Sequence, residues 1–246
     1  MTRKHSAGCL LIFALMAGCG GGGNTNAPAG ASVATYTFVR PKPGAHLVYA
    51  QKLADNLNNK VNRTMVQDVT SVNADGSFML HEEDPTHNRV VSGSVDQSLY
   101  PTDYQYNASG QPTSWVVTPA PGTTVSCTVT QGNPGAPSPM TAGQGWNVNY
   151  VETCGTGAGI AYAQSGTLAG IETITVAAGT FTAFKFTSTI TRTVNGTTRT
   201  ETVSRWCDAS GTNSKTLKSA SVFTYSGAAP ATGALVSETH ELQSYQ

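Results

Sequence analysis

The stretch that decides the fold is GIETITVAAGTFTAFKFTSTITRTVNGTTRTETVSRWC, residues 170–207. Thirteen of residues 167–202 are threonine, a β-branched residue that suits the pleated surface of a strand. Lys185, Thr187, Thr189, Thr191 and Thr193 alternate with Phe186, Ser188, Ile190, Arg192 and Val194. A period of two sends one set to each face, which is the pattern of a half-buried strand. Asn195-Gly196 then supplies the two positive-φ residues of a type I′ turn, so the chain returns antiparallel with Val194 facing Thr197. That register sets Arg205 opposite Phe186 and Glu201 opposite Ile190. Charged residues thus fall on the face that should be apolar. Arg192, Arg199, Glu201 and Arg205 could form a polar cluster inside a curled sheet. The simpler expectation is that this end of the hairpin protrudes past the core and is solvated on both faces.

Strand signals recur on either side of this hairpin. Candidate strands are 35–39, 46–53, 60–72, 77–82, 88–95, 99–107, 113–118, 123–130, 145–154, 158–168, 170–176, 180–194, 197–207, 215–226 and 234–245. Turn chemistry such as Asn73-Ala-Asp-Gly76, Asn107-Ala-Ser-Gly110 and Gly132-Asn-Pro-Gly135 separates them. Connectors this tight allow only antiparallel pairing, because a parallel pair needs a crossover of a dozen or more residues. No helical apolar period stands out after residue 30, and a charged fraction of 11% with heavy use of Thr, Ser, Gly and Asn fits an exported β protein. The expected fold is all-β, an antiparallel meander sheet curled into a half-barrel or packed as a sandwich, in a single domain over residues 35–246.

Residues 1–34 read differently. Arg3 and Lys4 precede an apolar run from Ala7 to Ala17 that is too short to cross a membrane as a helix, for which about 20 residues are needed. Leu15-Met16-Ala17-Gly18-Cys19 resembles the bacterial lipobox, in which the cysteine is acylated and the bond before it is cut. The resemblance implies a lipoprotein signal peptide over residues 1–18 and lipid attachment at Cys19. The competing reading is an ordinary secretory signal cut near Ala27 to Ala31, which leaves Cys19 without a role. GGGGNTNAPAGAS then has the composition of a flexible tether, and residues 19–34 would span roughly 20 Å. Gly20 in place of an Asp after the anchor implies, for a Gram-negative source, export to the outer membrane on either its periplasmic or its cell-surface face. Removing residues 1–18 takes Arg3 and Lys4 from the 14 basic residues and leaves 12 against 14 acidic ones. Without a basic stripe, no nucleic-acid partner is expected.

Cys127, Cys154 and Cys207 all lie on the export side, where thiols oxidise. Cys127 shares a strand face with Val125 and Val129, and Cys154 with Trp146, Val148 and Tyr150. If QGNPGAPSPMTAGQG connects these two strands, Cys127 and Cys154 can face each other, with Cys154–Cys207 the next choice.

LHEEDPTH contains metal-ligand residue types in His81, Glu82, Glu83, Asp84 and His87. Alternation sends His81 and Glu83 to one side and Glu82 and Asp84 to the other, so a solvated strand end and turn is expected instead of a metal site. His46 and His240 stand alone. There is no Gly-x-Ser-x-Gly elbow, no Ser-x-x-Lys in a helical setting, and no strand-to-helix context for the glycines of GTGAG at 155–159. Neither a catalytic residue, a metal nor a cofactor is expected.

IETITVAAGTFTAFKF, residues 171–186, resembles a hairpin of poorly characterised Gram-negative envelope lipoproteins, several with LolA-like half-barrel folds. YTFVRPKPGAHLVYAQKL resembles the opening of that family, and Trp206 its later aromatic, with Ala177 standing where the family has Pro. The resemblance implies fold and supplies almost no function. The expected role is a non-catalytic binding or assembly module, anchored to the membrane by its lipid, whose Phe181, Phe184, Phe186 and Ile190 line a concavity for an apolar ligand or an envelope partner. The alternatives are an envelope hydrolase with an unrecognised site and a purely structural envelope component.

Overall fold

Asn195 and Gly196 both take positive φ, 50° and 76°, as a type I′ turn requires. In the computed structural model, which describes residues 34–211 and 215–246, the strands they join pair with Val194 opposite Thr197, Ile190 opposite Glu201 and Phe186 opposite Arg205. The expected signal peptide, Cys19 and almost all of the tether lie outside the described residues.

The described residues form strands and no helix. The strands are β1 (Thr35–Tyr36), β2 (His46–Asp55), β3 (Lys60–Val72), β4 (Phe78–Glu83), β5 (Val91–Ser92), β6 (Val95–Asp96), β7 (Thr102–Tyr106), β8 (Pro112–Ala120), β9 (Thr123–Gln131), β10 (Met140–Thr141), β11 (Gly145–Cys154), β12 (Ile160–Val176), β13 (Gly179–Val194), β14 (Thr197–Asp208), β15 (Thr216–Gly227) and β16 (Leu235–Tyr245). Twelve of them make one antiparallel barrel in the order β11-β12-β13-β14-β15-β16-β2-β3-β4-β7-β8-β9, closed by pairing of β9 with β11. The sheet therefore curls all the way round, further than a half-barrel, and it does not split into a sandwich. Bulges supply the bend: the register shifts at Leu168/Gly170, Trp206/Cys207, Leu235/Ser237, Leu242/Ser244 and Val69/Ser71. The first of these also explains why two expected strands, 158–168 and 170–176, are the single strand β12.

Twelve strands enclose a wider lumen than the eight that side chains just fill. Large residues occupy much of it, with Tyr49, Tyr106, Phe78, Met65 and Leu80 among the bulkiest fully buried side chains. Phe78 stacks on Tyr106 at 4.7 Å between ring centroids. A second cluster gathers Tyr36, Trp146, Leu168, Phe184, Phe186 and Cys207. Gly166 makes room there, since a Cβ at this position would meet the Trp146 ring at 2.3 Å. The tip of the β12–β13 hairpin folds back far enough for Ala178 N–H to donate to Leu242 C=O at 3.2 Å. Val176, Ile174 and Phe181 pack there on the main cluster. Outward positions include Lys52, Asn62, Asp68, His81, Asp103, Thr189 and Thr202, all at least part-exposed. A membrane-crossing barrel instead turns an apolar band outward.

β9 and β11 are bridged covalently. Cys127 and Cys154 stand directly opposite one another, with Cα atoms 4.0 Å apart, and form a disulfide. Cys207 is buried in the second cluster and takes no part in this bridge.

The β13–β14 turn gives a direct test of the register. A Cβ at Gly196 would meet nothing closer than Ala228 at 3.8 Å, so the cost of a side chain is conformational and not steric. Gly196→Val should destabilise the barrel by about 1 kcal/mol or more, because a β-branched residue resists positive φ. For a domain of this size that is a fall in Tm of roughly 2–4 °C. An unchanged melting temperature would count against the turn.

Candidate functional site

One cross-strand row carries most of the interior polarity. Arg205 on β14 faces Ser219 on β15, Ser219 faces His240 on β16, His240 faces Gln51 on β2, and Gln51 faces Arg63 on β3. Each is on the inward parity of its strand, set by neighbours such as Val203, Phe223, Leu242, Leu53 and Met65. Ser219, His240 and Gln51 are buried. His240 Nε2 lies 2.7 Å from Glu238 Oε1, and Gln51 Nε2 donates to the same oxygen at 2.5 Å. Arg63 donates through Nε to Gln51 Oε1 and through Nη1 to the Gln97 carbonyl at 2.6 Å. Burial opposes the charge on Glu238, yet the charge and hydrogen bond of His240, the Gln51 amide and the Arg63 charge together hold its carboxyl below the usual range.

Glu82 continues this belt on β4, where it accepts a hydrogen bond from Gln67 Nε2 at 2.6 Å. Its second oxygen has no partner among the described residues, and burial pushes its pKa up to about 7. On the opposite wall, Glu201 accepts from Arg199 Nη2 and from Ser221 Oγ, each at 2.9 Å. Arg192 Nη1 donates to Tyr162 Oη at 2.8 Å. Burial also raises Glu152 to about 7, against the pull of its Tyr162 hydrogen bond and of Arg192 and Arg199. The Arg205 guanidinium, among Tyr36, Tyr49, Tyr106 and Glu201, is lowered to about 10 by burial.

Two sequence expectations are corrected by this interior. Glu201 is 6% exposed and Arg199 packs over the Phe223 ring at 4.8 Å, so the charges of the β13–β14 hairpin lie inside the barrel and are not solvated on both faces. Closure of the sheet is the reason, since it turns what would be one face of a protruding hairpin into the lumen wall. Likewise Glu82 and Asp84 are each 1% exposed, whereas a solvated strand end and turn was expected. The alternation itself holds, because His81 and Glu83 point outward, where His81 Nδ1 meets Asp103 Oδ1 at 2.8 Å. His46 pairs with Asp68 at 2.6 Å on the outer face, so neither it nor His240 is solitary. Gln51, Arg63, Gln67, Glu152 and Glu238 escaped sequence reasoning. Their only signal was parity with apolar neighbours along the same strand.

Ligand atoms of Cys127, Glu152 and Cys154 lie within 4.8 Å of one another. Both sulfurs are committed to the disulfide, so this trio does not fit a metal ion. Of the four apolar residues expected to line a concavity, Phe184, Phe186 and Ile190 are packed in the interior. Tyr36 covers two of them edge-on, at 5.7 Å from Phe184 and 4.9 Å from Phe186. Phe181 is different. It lines a surface cleft of about 550 Å³ together with Lys42, Pro43, Asp208, Lys215 and Tyr245. Lys215 is buried and paired with Asp208, with its Nζ 4.4 Å from the Tyr245 ring centroid and 5.4 Å from that of Phe181. Ser210 N–H and Oγ–H both donate to the Asp208 carboxylate at 3.0 Å.

No family model matches the chain, and no curated protein matches it. Three solved structures are similar in shape. One is a protein of Bacteroides fragilis classed as exported, with a YmcC-like fold, at 12% identity and a TM-score of 0.48, covering 85% of this chain and 99% of its own. Another is a Parabacteroides distasonis protein classed as a lipoprotein, at 15% identity and a TM-score of 0.45, with the same coverage. The third is the hypothetical lipoprotein YmcC of Escherichia coli, at 10% identity and a TM-score of 0.40, covering 82% of this chain and 84% of its own.

Proposed function

We propose that the protein is an outer-membrane lipoprotein, anchored through Cys19, that acts as a non-catalytic binding or assembly module. The barrel is the rigid body, and the cleft between Phe181 and Tyr245 takes an apolar group of a ligand or of an envelope partner. The observation that carries this reading is the cleft itself, with two aromatic walls around a buried lysine whose charge Asp208 already balances. Such a site offers apolar and cation–π surface without an unpaired charge. His240 Nε2 is engaged by Glu238 and Gln51, so this nitrogen is not free to act as a general base.

The test is native mass spectrometry of the full-length protein purified from its own membrane, with Phe181→Ala/Tyr245→Ala beside it. The wild type should carry a ligand or partner that the double variant loses, and Cys19→Ser should yield unprocessed or soluble protein. A double variant that keeps the same company would move binding away from the cleft. Turnover of an ester, glycoside or peptide substrate, abolished by His240→Gln with the fold intact, would replace this reading with the hydrolase.

A further inference from the structure

The arginines of the lumen differ in how they are engaged. Arg199 is paired with Glu201, and Arg192 is bonded to Tyr162. Arg63 is bonded to Gln51 and Gln97, in the field of Glu238, Asp84 and Glu82, and only its Nη2 lacks a hydrogen-bond partner. Arg205 enters no ion pair among the described residues, and its Nε is buried without a hydrogen-bond partner. Glu201, the carboxylate whose charge acts on Arg205, already accepts from Arg199 and Ser221. A second buried donor also lacks a partner. Trp146 is 7% exposed and its Nε1–H is also buried without a partner. The Trp146 ring meets Phe186 edge-on at 6.2 Å, and Phe186 is the cross-strand partner of Arg205. Phe186 thus connects the two unsatisfied donors, as the cross-strand partner of Arg205 and a ring neighbour of Trp146, and Tyr36 meets it edge-on at 4.9 Å.

Buried donors left unpaired cost free energy, and folding alone would favour an apolar residue at either position. An oxyanion repays that cost, since it accepts from both and balances the guanidinium charge. We propose that Arg205 and Trp146 form an internal receptor for the oxyanion head, carboxylate or phosphate, of a small ligand whose apolar body rests against Phe186 and Tyr36. This site is separate from the cleft of Phe181 and Tyr245, and it stands whether or not that cleft binds a partner.

The experiment titrates the purified full-length protein with benzoate, phenyl phosphate, inorganic phosphate and uncharged benzyl alcohol, following calorimetry and tryptophan fluorescence. Benzoate or phenyl phosphate should bind saturably and quench Trp146, a signal lost in Trp146→Phe. Inorganic phosphate should bind more weakly because it lacks the apolar body, and benzyl alcohol at least tenfold more weakly because it lacks the charge. Arg205→Gln should weaken anion binding by about 10- to 100-fold, the worth of one charged hydrogen bond. Saturable binding by inorganic phosphate alone would keep the anion site and discard the apolar body. Benzyl alcohol binding as tightly as benzoate, or no saturable binding of any anion to the wild type, would overturn the proposal. Both outcomes are read on the wild type, so they hold even if Arg205→Gln fails to fold.

Discussion

Glu82→Gln should make the barrel more stable at pH 8 by about 3 kcal/mol while changing little at pH 4. Burial raises this carboxyl from about 4.5 in the unfolded chain to about 7 in the barrel, and each tenfold change in proton affinity corresponds to about 1.4 kcal/mol. The sign follows from linkage. The folded state holds the proton more tightly, so the stabilising contribution is complete below pH 4.5. It is lost as the pH rises from there to 7, above which the barrel carries a buried charge next to Gln67, Arg63, His240 and Glu238. Glutamine keeps the acceptor for Gln67 and removes the ionisation. Urea denaturation of wild type and variant across pH 4–8 measures the difference. Parallel stability curves, with a gap that does not grow with pH, would show that Glu82 is ionised throughout or that the site is hydrated. Glu152 is subject to the same burial, and Glu152→Gln should add a second rise over the same range.

Cys127→Ser/Cys154→Ser should cost about 3.5 kcal/mol, the chain-entropy value for a loop of this length, given a separation of 27 residues. The loop runs from β9 through β10 to β11, and the bridge lies at the end of the short β9–β11 ladder, which has only four paired positions and a register shift. The pairing between strands far apart in the chain, β16 with β2, has the longer ladder. Loss of the bridge should therefore show as a lower denaturation midpoint and as early loss of hydrogen-exchange protection in β9 and β11. A midpoint unmoved by the double substitution would mean that the β9–β11 ladder closes the barrel without covalent help.

The parts of the fold that local chemistry dictates were legible. Asn195-Gly196 fixed the β13–β14 register to the residue, because few dipeptides accept two positive φ values in succession. Parity along the strands aligned Cys127 with Cys154 and separated His81 from Glu82. Closure was not legible, since no single strand encodes the partner of the last one, and the curvature comes from bulges such as Leu168/Gly170 that look like ordinary sequence. The error over Glu201 and Arg205 follows from that. Alternation tells which residues share a face, but whether that face meets water or a lumen depends on strands far away in the chain. Phe181 was placed in a concavity with Phe184 and Phe186, although its odd number put it on the other face of β13. The hairpin fold-back at Ala178 gave it a cleft of its own.

A ring of strands has no first or last member. Every backbone donor and acceptor on the rim of an open sheet is a template for another chain, and proteins held at high density on a surface are most exposed to that hazard. Here the pairing of β9 with β11 closes the wall to strand addition, and residues 170–176 of β12, paired with β13 alone, are an edge left outside that closure. A partner that met the closed wall would have to be recognised through side chains, and single substitutions could change that recognition without touching the hydrogen-bonded wall.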